Sequence, residues 1–279
     1  MIRFGGPIFG VKQDDPAAFA RAHKEQGYRA AYCPGVKIGD KERIKAIRDA
    51  FEKEQVVIAE VGAWCNMLAA DPATRKKNHQ MICERLALAD EIGALCCVDY
   101  LGSEVPGTNY GPHPDNFSAK GFDLCVQTVR SIIDAVKPTR AKFCLEMMQW
   151  CLPDSPEVCL DVLKAVDRKA FAVHLDPVNI VTSPRVYFNT ANLLRRCFAL
   201  LGEWITSCHA KDIIAREKGA LHMDECRPGT GVFDYRTFLT ELAKLPHHPP
   251  LMLEHLPNAQ EYAKARDHIT ALAKELNVW

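Results

Sequence analysis

Short apolar runs alternate with longer amphipathic segments along the whole chain, and this alternation restricts the fold more than any other feature of the sequence. Each apolar run is typical of a strand buried on both faces, because such strands read as continuous rather than alternating hydrophobic stretches. Each amphipathic segment has the periodicity of a helix with one buried face. Repeated strand–helix units of this kind predict a parallel sheet covered by helices.

The predicted elements form eight consecutive pairs. Strands are expected at 2–5, 29–33, 56–63, 95–101, 142–148, 170–176, 205–211 and 250–256. Helices are expected near 15–26, 40–54, 72–92, 116–136, 156–166, 190–201, 234–245 and 258–276. Three helices have a capping residue followed by proline in the first turn, which is a common helix start: Asp15–Pro16, Asp71–Pro72 and Ser155–Pro156.

Eight strand–helix units in 279 residues match the usual size of a (β/α)8 TIM barrel. We therefore predict the α/β class and a single TIM-barrel domain over residues 1–279. The alternative is an open doubly wound sheet, which usually carries a GxGxxG motif after its first strand. That motif is absent, and "PGTG" at 228–231 follows the seventh predicted strand instead.

Charge and cysteine content argue against several classes of protein. Lys+Arg and Asp+Glu are 35 each, so the net charge is zero and no basic excess indicates a nucleic-acid partner. No apolar run is long enough to cross a membrane, and no signal peptide is recognisable. The twelve cysteines contain no CxxC pair, and several lie in apolar runs, which favours free thiols and a cytoplasmic location.

Metal-competent side chains lie at the ends of the last four predicted strands. They are Glu146, Asp176, His209 and Glu254, one on each strand. Active sites of TIM barrels collect at the carboxyl ends of the strands. Alternation along each strand places all four on the face opposite the apolar residues that must contact helices. The sequence therefore predicts that they converge inside the barrel mouth.

Three clustered carboxylates repel one another and resist ionising together unless a cation lies between them. Three oxygen ligands and one imidazole suit Mn²⁺ or Mg²⁺. We expect one divalent ion, with Mn²⁺ placed first and Mg²⁺, Co²⁺ and Zn²⁺ as alternatives. The other interpretation is that the four residues are unrelated and pair with nearby loops.

Several motifs resemble the sugar phosphate isomerase/epimerase superfamily, the xylose isomerase-like TIM barrels. They are "LEMM" at 145–148, "LDPVN" at 175–179, "HAKD" at 209–212, "LEH" at 253–255 and "RPGTGVFDYRTFLTEL" at 227–242. The resemblance covers essentially the whole chain. It implies that Glu146, Asp176, His209 and Glu254 hold the metal. It also implies that Glu146 and Glu254 are the catalytic acid/base pair.

Two positions depart from the pattern of the ketose epimerases. Many members have a histidine where this chain has Asn179, and the epimerases have a second glutamate where it has Leu152. Barrels of this kind often form dimers, so a homo-oligomer is left open.

The expected reaction is isomerisation or epimerisation of a sugar or sugar derivative, through proton abstraction next to a carbonyl and a metal-stabilised enediolate. The alternative is a lyase, either inosose dehydratase-like or the catalytic subunit of a C-glycoside deglycosidase. An endonuclease IV-like repair enzyme is disfavoured by the neutral charge and by too few histidines.

Other side chains near the predicted mouth are weaker candidates for contact with a small-molecule carbohydrate. The predicted substrate-binding residues are Arg227, Asn179, Lys211, His222, Trp64 and Trp150. His174 lies two residues before Asp176 and is expected either to orient a metal ligand or to be a core histidine. Glu60 and Asp99 also lie near strand ends and are weak ligand candidates.

Overall fold

The computed structural model describes residues 2–279 and contains ten strands. They are β1 (Phe4–Gly5), β2 (Ala30–Tyr32), β3 (Val57–Gly62), β4 (Cys96–Asp99), β5 (Lys142–Glu146), β6 (Phe171–Leu175), β7 (Ile205–Ala210), β8 (Asp212–Ala215), β9 (Met223–Cys226) and β10 (Leu251–Leu253). Strands β1–β7 and β10 form a closed barrel in which neighbours pair in parallel, and β1 pairs with both β2 and β10. The predicted (β/α)8 barrel is confirmed.

Nine helices connect and cover the strands in the described part of the chain. They are α1 (Pro16–Glu25), α2 (Lys41–Glu54), α3 (Pro72–Ile92), α4 (Ala119–Val136), α5 (Pro156–Val166), α6 (Pro184–Tyr187), α7 (Thr190–Leu201), α8 (Tyr235–Lys244) and α9 (Ala259–Glu275). The side chains of Asp15, Asp71 and Ser155 accept hydrogen bonds from backbone N–H groups in the first turns of α1, α3 and α5. The predicted helix starts are therefore confirmed.

The barrel interior is filled by small apolar side chains below a polar layer. One interior cluster contains Cys96, Val98, Cys144 and Ala172, and a second contains Ala30, Ala59 and Met252. Alternation then places Glu146, two residues after Cys144, and His174, two residues after Ala172, on the same inner face. Larger apolar residues on the outer faces of the strands contact the helices.

A β-bulge in β3 changes which residues face the interior. The register against β2 shifts between Ala31 and Tyr32, so Ala59 has no partner on that strand. Ala59 and Glu60 both face inward, although simple alternation would place them on opposite faces. Ala59 belongs to an interior apolar cluster, and Glu60 accepts a hydrogen bond from Ser207 Oγ at 2.8 Å.

The stretch 212–230, between the seventh predicted strand and the predicted helix at 234–245, contains an antiparallel hairpin formed by β8 and β9. Its base is organised by Asp212, which directly follows Lys211. The Asp212 carboxylate accepts hydrogen bonds from the backbone N–H groups of Ile213 (2.8 Å), Gly229 (2.9 Å), Gly231 (3.0 Å) and Phe233 (2.9 Å).

The two glycines of "PGTG" are required by this arrangement. Gly229 has a φ of +89°, in the left-handed region that side chains disfavour. A Cβ at Gly231 would lie 2.3 Å from Asp212 Oδ1. The motif therefore wraps the chain around one buried carboxylate.

The structure also bears on the expectations about membrane-crossing segments and cysteines. Among residues 2–279, no helix combines the length and the apolar character that crossing a membrane requires. The twelve cysteines are free thiols, and most of them are buried.

We predict that Asp212→Ala lowers the free energy of unfolding by about 3 kcal/mol, because it leaves four backbone N–H groups, two of them buried and two partly buried, without their charged acceptor. Urea unfolding would measure the change. Asp134→Ala is the matched control, since Asp134 is an exposed carboxylate paired with Arg168, and little change is expected there. Equal stability of the two variants would contradict the role given to Asp212.

Candidate metal centre

Four side chains from consecutive barrel strands meet at the carboxyl end of the barrel. Glu146 ends β5, Asp176 directly follows β6, His209 lies in β7, and Glu254 directly follows β10. One ligand atom from each lies within 4.8 Å of the ligand atoms of the other three. The structure thus brings together all four residues that the sequence nominates as metal ligands. We call this set the four-residue cluster.

The imidazole of His209 is the centre of the cluster. Its Nδ1 lies 2.9 Å from Glu254 Oε1, 3.1 Å from Glu146 Oε1 and 3.6 Å from Asp176 Oδ2. One N–H group cannot serve three carboxylates. Nδ1 therefore points to a place where a cation could contact all three carboxylates, which a single proton cannot do.

Glu60 holds the other nitrogen of His209. The Nε2 atom lies 3.1 Å from Glu60 Oε1, and the second oxygen of Glu60 accepts the hydrogen bond from Ser207. An Nε2–H donor to Glu60 leaves the Nδ1 lone pair free to face the cluster, as in many carboxylate–histidine–metal arrangements. The sequence indicated Glu60 only as a weak ligand candidate, because simple alternation along β3 misplaces it.

His174 lies beside His209 but makes no hydrogen bond. The two rings are 4.0 Å apart in an edge-to-face arrangement, and His174 Nδ1 lies 3.5 Å from Glu60 Oε2. Burial, together with the nearby His209 charge, lowers the pKa of His174 to about 4, so it is neutral. The hydrogen bond to a metal ligand that the sequence suggested for His174 is made by Glu60, to His209 Nε2.

Lys211 is a buried ammonium at the edge of the cluster. Its Nζ lies 2.7 Å from Glu254 Oε1, 2.8 Å from Asp176 Oδ2 and 3.1 Å from Glu225 Oε1. It also donates to Asn179 Oδ1 at 3.3 Å. Burial would lower the pKa of Lys211, but the surrounding carboxylates outweigh it and raise the pKa, so the side chain is charged.

Two buried oxygens support a cation site. Asp176 Oδ2 and Glu254 Oε1 have no hydrogen-bond partner. Lys211 Nζ forms ion pairs with both, at 2.8 Å and 2.7 Å. Buried carboxylate oxygens without hydrogen bonds are costly. Three carboxylates and one imidazole therefore fit a divalent cation.

The carboxyl groups of the cluster differ in acidity. Burial raises the pKa of Glu146 to about 7, although the neighbouring His209 opposes the shift. For Glu254, burial is outweighed by the charges of His209 and Lys211, which lower the pKa to about 2. The pKa of His209 is raised despite its burial, chiefly by Glu254 and Glu60. A cation on Nδ1 would thus have to displace a proton.

Two tryptophans lie at the mouth of the barrel. Trp64 is 40% exposed, its ring centre lies 6.1 Å from that of His209, and its backbone has a φ of +52°. Such a backbone is unusual for a bulky residue and is typical of functional sites. Trp150 is 46% exposed and helps to line a cavity of about 610 Å³.

This cavity adjoins the four-residue cluster. Its walls come from the loops after β5 and β6 and from the β8–β9 hairpin. It is lined by Gln149, Trp150, Val178, Asn179, Val181, Thr182, Ile213, Leu221, His222, Met223 and Glu225. Three predicted substrate-binding residues, Trp150, Asn179 and His222, therefore lie on one cavity.

Arg227 is not brought to the cluster or the cavity. Its Nε donates to Glu261 Oε2 at 2.9 Å, so it ties the segment after β9 to α9. In the structure its contact with Glu261 anchors the loop. Asp99 is also occupied: its carboxylate accepts from the backbone N–H groups of Cys65 (3.0 Å) and Tyr100 (2.9 Å).

Comparison with solved structures finds the same barrel in proteins of low identity. The 3-keto-D-glucoside 4-epimerase of E. coli has a TM-score of 0.68 and 14% identity, covering 98% of this chain and 100% of the other. A probable 3-DHS dehydratase of Bacillus anthracis has a TM-score of 0.72 and 16% identity, covering 98% and 99%. A xylose isomerase-like protein of Mycobacterium smegmatis, in complex with magnesium, has a TM-score of 0.67 and 17% identity, covering 95% and 90%.

No curated protein matches the sequence. Residues 20–272 match the family described as xylose isomerase-like TIM barrel. That range includes all four residues of the cluster, and it agrees with the closed barrel and with the motifs at the strand ends. The chain therefore belongs to the xylose isomerase-like TIM barrel family.

Proposed function

We propose that the protein is a divalent-metal-dependent isomerase or epimerase acting on a sugar or sugar derivative. The observation that carries this proposal is the convergence of three carboxylates and His209 Nδ1 within 4.8 Å in the mouth of the barrel. The related E. coli structure is that of an epimerase, which supports the reaction class.

In this proposal Glu146, Asp176, His209 and Glu254 hold one cation. Mn²⁺ is the first choice because three oxygens and one imidazole suit it, and the magnesium complex of a relative keeps Mg²⁺ open. Co²⁺ and Zn²⁺ are further alternatives. When bound, a divalent cation would polarise a substrate carbonyl as a Lewis acid.

Glu146 and Glu254 are proposed as the acid/base pair. One would remove a proton from the carbon next to the carbonyl, and the other would return a proton to the substrate. Glu60 would hold His209 in the tautomer that presents Nδ1 to the cluster. Trp64, Trp150, Asn179, Lys211 and His222 are proposed to contact the substrate, since they lie at the mouth or on the cavity.

A lyase is the second candidate. Asn179 stands where many relatives have histidine, and the structure places it on the cavity wall beside Lys211. A dehydratase is among the related structures. Release of water from the substrate would distinguish this reaction from isomerisation, which keeps the molecular formula.

Removing one proposed ligand should weaken cation binding. We expect Asp176→Asn to raise the Kd for Mn²⁺ by about 100-fold, since even the outer partners of ligands contribute 10–100-fold. Calorimetric titration of chelator-treated protein would measure it. Glu225→Gln is the matched control: Glu225 also contacts Lys211 but is outside the cluster, so its Kd should hardly change. Unchanged affinity in Asp176→Asn would reject the site.

Removing either proposed acid/base carboxylate should stop proton transfer. We expect Glu146→Gln and Glu254→Gln each to slow turnover by about 10³-fold at saturating Mn²⁺. NMR in deuterated water would follow exchange of a carbon-bound proton over a panel of ketoses, aldoses and inososes. Glu157→Gln, an exposed carboxylate on α5, should exchange at the wild-type rate. Wild-type exchange in either cluster variant would end the acid/base proposal.

The role of Glu60 can be separated from that of the ligands. Glu60→Gln removes the charge that faces His209 Nε2, so we expect a loss of Mn²⁺ affinity of about 10–100-fold. Ser207→Ala is the comparison variant, because Ser207 bonds the other oxygen of Glu60 and should have a smaller effect. The same calorimetric titration serves both. An equal effect of the two variants would argue that Glu60 only fills space.

A further inference from the structure

The cavity of about 610 Å³ begins beside the four-residue cluster. Asn179 and Glu225 line it, and both lie within 3.3 Å of Lys211 Nζ. The same ammonium is 2.7 Å from Glu254 Oε1. The Lys211 ammonium thus contacts both the proposed metal ligands and two residues of the cavity wall. A molecule reacting at the cluster would therefore extend into this space.

The cavity is larger than a free sugar needs. Pockets for drug-sized ligands span about 300–1,000 Å³, and this one lies inside that range. A hexose held at the cluster would leave most of the cavity empty. The space therefore suits a substrate with a substituent beyond its sugar ring.

Six of the eleven residues that line the cavity are apolar, and they form one part of its wall. The apolar side chains are Trp150, Val178, Val181, Ile213, Leu221 and Met223. Two of them are large and unusually exposed: Trp150 is 46% exposed and Leu221 is 55% exposed. They come from different loops, one after β5 and one in the β8–β9 connection. Exposed apolar side chains that face a common cavity mark a surface that a ligand covers.

The charges around the cavity disfavour an anionic substituent. No lysine or arginine occurs among the eleven lining residues, and the one carboxylate, Glu225, is paired with Lys211 and His255. Arg227 is not among the lining residues, and its Nε donates to Glu261. A phosphate or carboxylate here would meet Glu225, and the nearest basic groups, Lys211 and His222, already contact carboxylates.

We infer that this cavity binds an uncharged aromatic or alkyl substituent, so that the substrate is a neutral glycoside-type sugar derivative rather than a free or phosphorylated sugar. Trp150 and Leu221 would clamp the substituent while the sugar carbonyl lies at the cluster. The assignment of the sugar end rests on the proposed function. The assignment of the substituent rests on the cavity alone.

Binding of three probes tests the inference without turnover. Calorimetry would compare phenyl β-D-glucopyranoside, methyl β-D-glucopyranoside and glucose 6-phosphate, each with and without Mn²⁺. We expect the phenyl glycoside to bind at least about tenfold more tightly than the methyl glycoside, since one added methylene group in an apolar pocket already improves binding by about tenfold. Glucose 6-phosphate should bind most weakly. The phenyl preference should persist without Mn²⁺.

Two cavity variants and one matched control complete the test. Trp150→Ala and Leu221→Ala should each reduce the phenyl preference, and Leu221 is exposed enough that its loss will not disturb folding. Phe188→Ala removes an exposed aromatic residue (81% exposed) outside the cavity and should keep the preference.

Four results would overturn the inference: no phenyl binding, equal phenyl and methyl affinities, tightest binding of glucose 6-phosphate, or an unchanged preference in both cavity variants. A failure of the proposed function looks different. It would abolish Mn²⁺ binding or proton exchange while the phenyl preference remained.

Discussion

The mutual repulsion of buried carboxylates is the constraint on which the rest of the site depends. Glu60, Glu146, Asp176 and Glu254 surround a single imidazole, and like charges at this spacing cannot all ionise without nearby positive charge. His209 supplies one positive charge. Glu60 contacts its Nε2 atom, and the other three carboxylates lie near its Nδ1 atom. The His209 imidazolium and the Lys211 ammonium offset part of the negative charge of the four carboxylates. The same arrangement prepares the cluster for a divalent ion, which carries more charge than the proton it would displace.

The position of Lys211 is fixed by its neighbours along the chain. Its backbone carbonyl accepts a hydrogen bond from Tyr235 at 2.7 Å, and the next residue, Asp212, collects four backbone N–H groups from the hairpin and the glycine loop. The motif "HAKD" thus contributes both to the cluster and to the adjoining loop. His209 and Lys211 face the cluster, while Asp212 holds the loop that leads into α8. A change in the loop would consequently be transmitted to the ammonium and then to the ligands.

The sequence predicts the local elements well because their causes are local. Every barrel strand lies within its predicted range, since a buried parallel strand needs a continuous apolar run. Strand alternation also brings the four cluster residues to one face.

Non-local features were missed. Glu60 reaches the interior through a bulge that depends on pairing with β2, and a single strand pattern does not reveal such a shift. The hairpin of β8 and β9 depends on pairing across a polar connection. Arg227 has its partner 34 residues away on α9.

The hydrogen-bonding capacity of Lys211 bears on the choice between epimerase and lyase. Both reactions begin with removal of a proton next to a carbonyl, but elimination of water also needs a group that protonates the departing hydroxyl. Lys211 is the ammonium nearest the cavity, and an ammonium has three N–H groups. Four oxygens already surround it at 2.7–3.3 Å, those of Asp176, Asn179, Glu225 and Glu254. The surrounding carboxylates raise the pKa of Lys211, so the ammonium is a weak acid that holds its neighbours in position. In the proposed mechanism Lys211 would thus position the carboxylates and would not be the acid that a lyase needs.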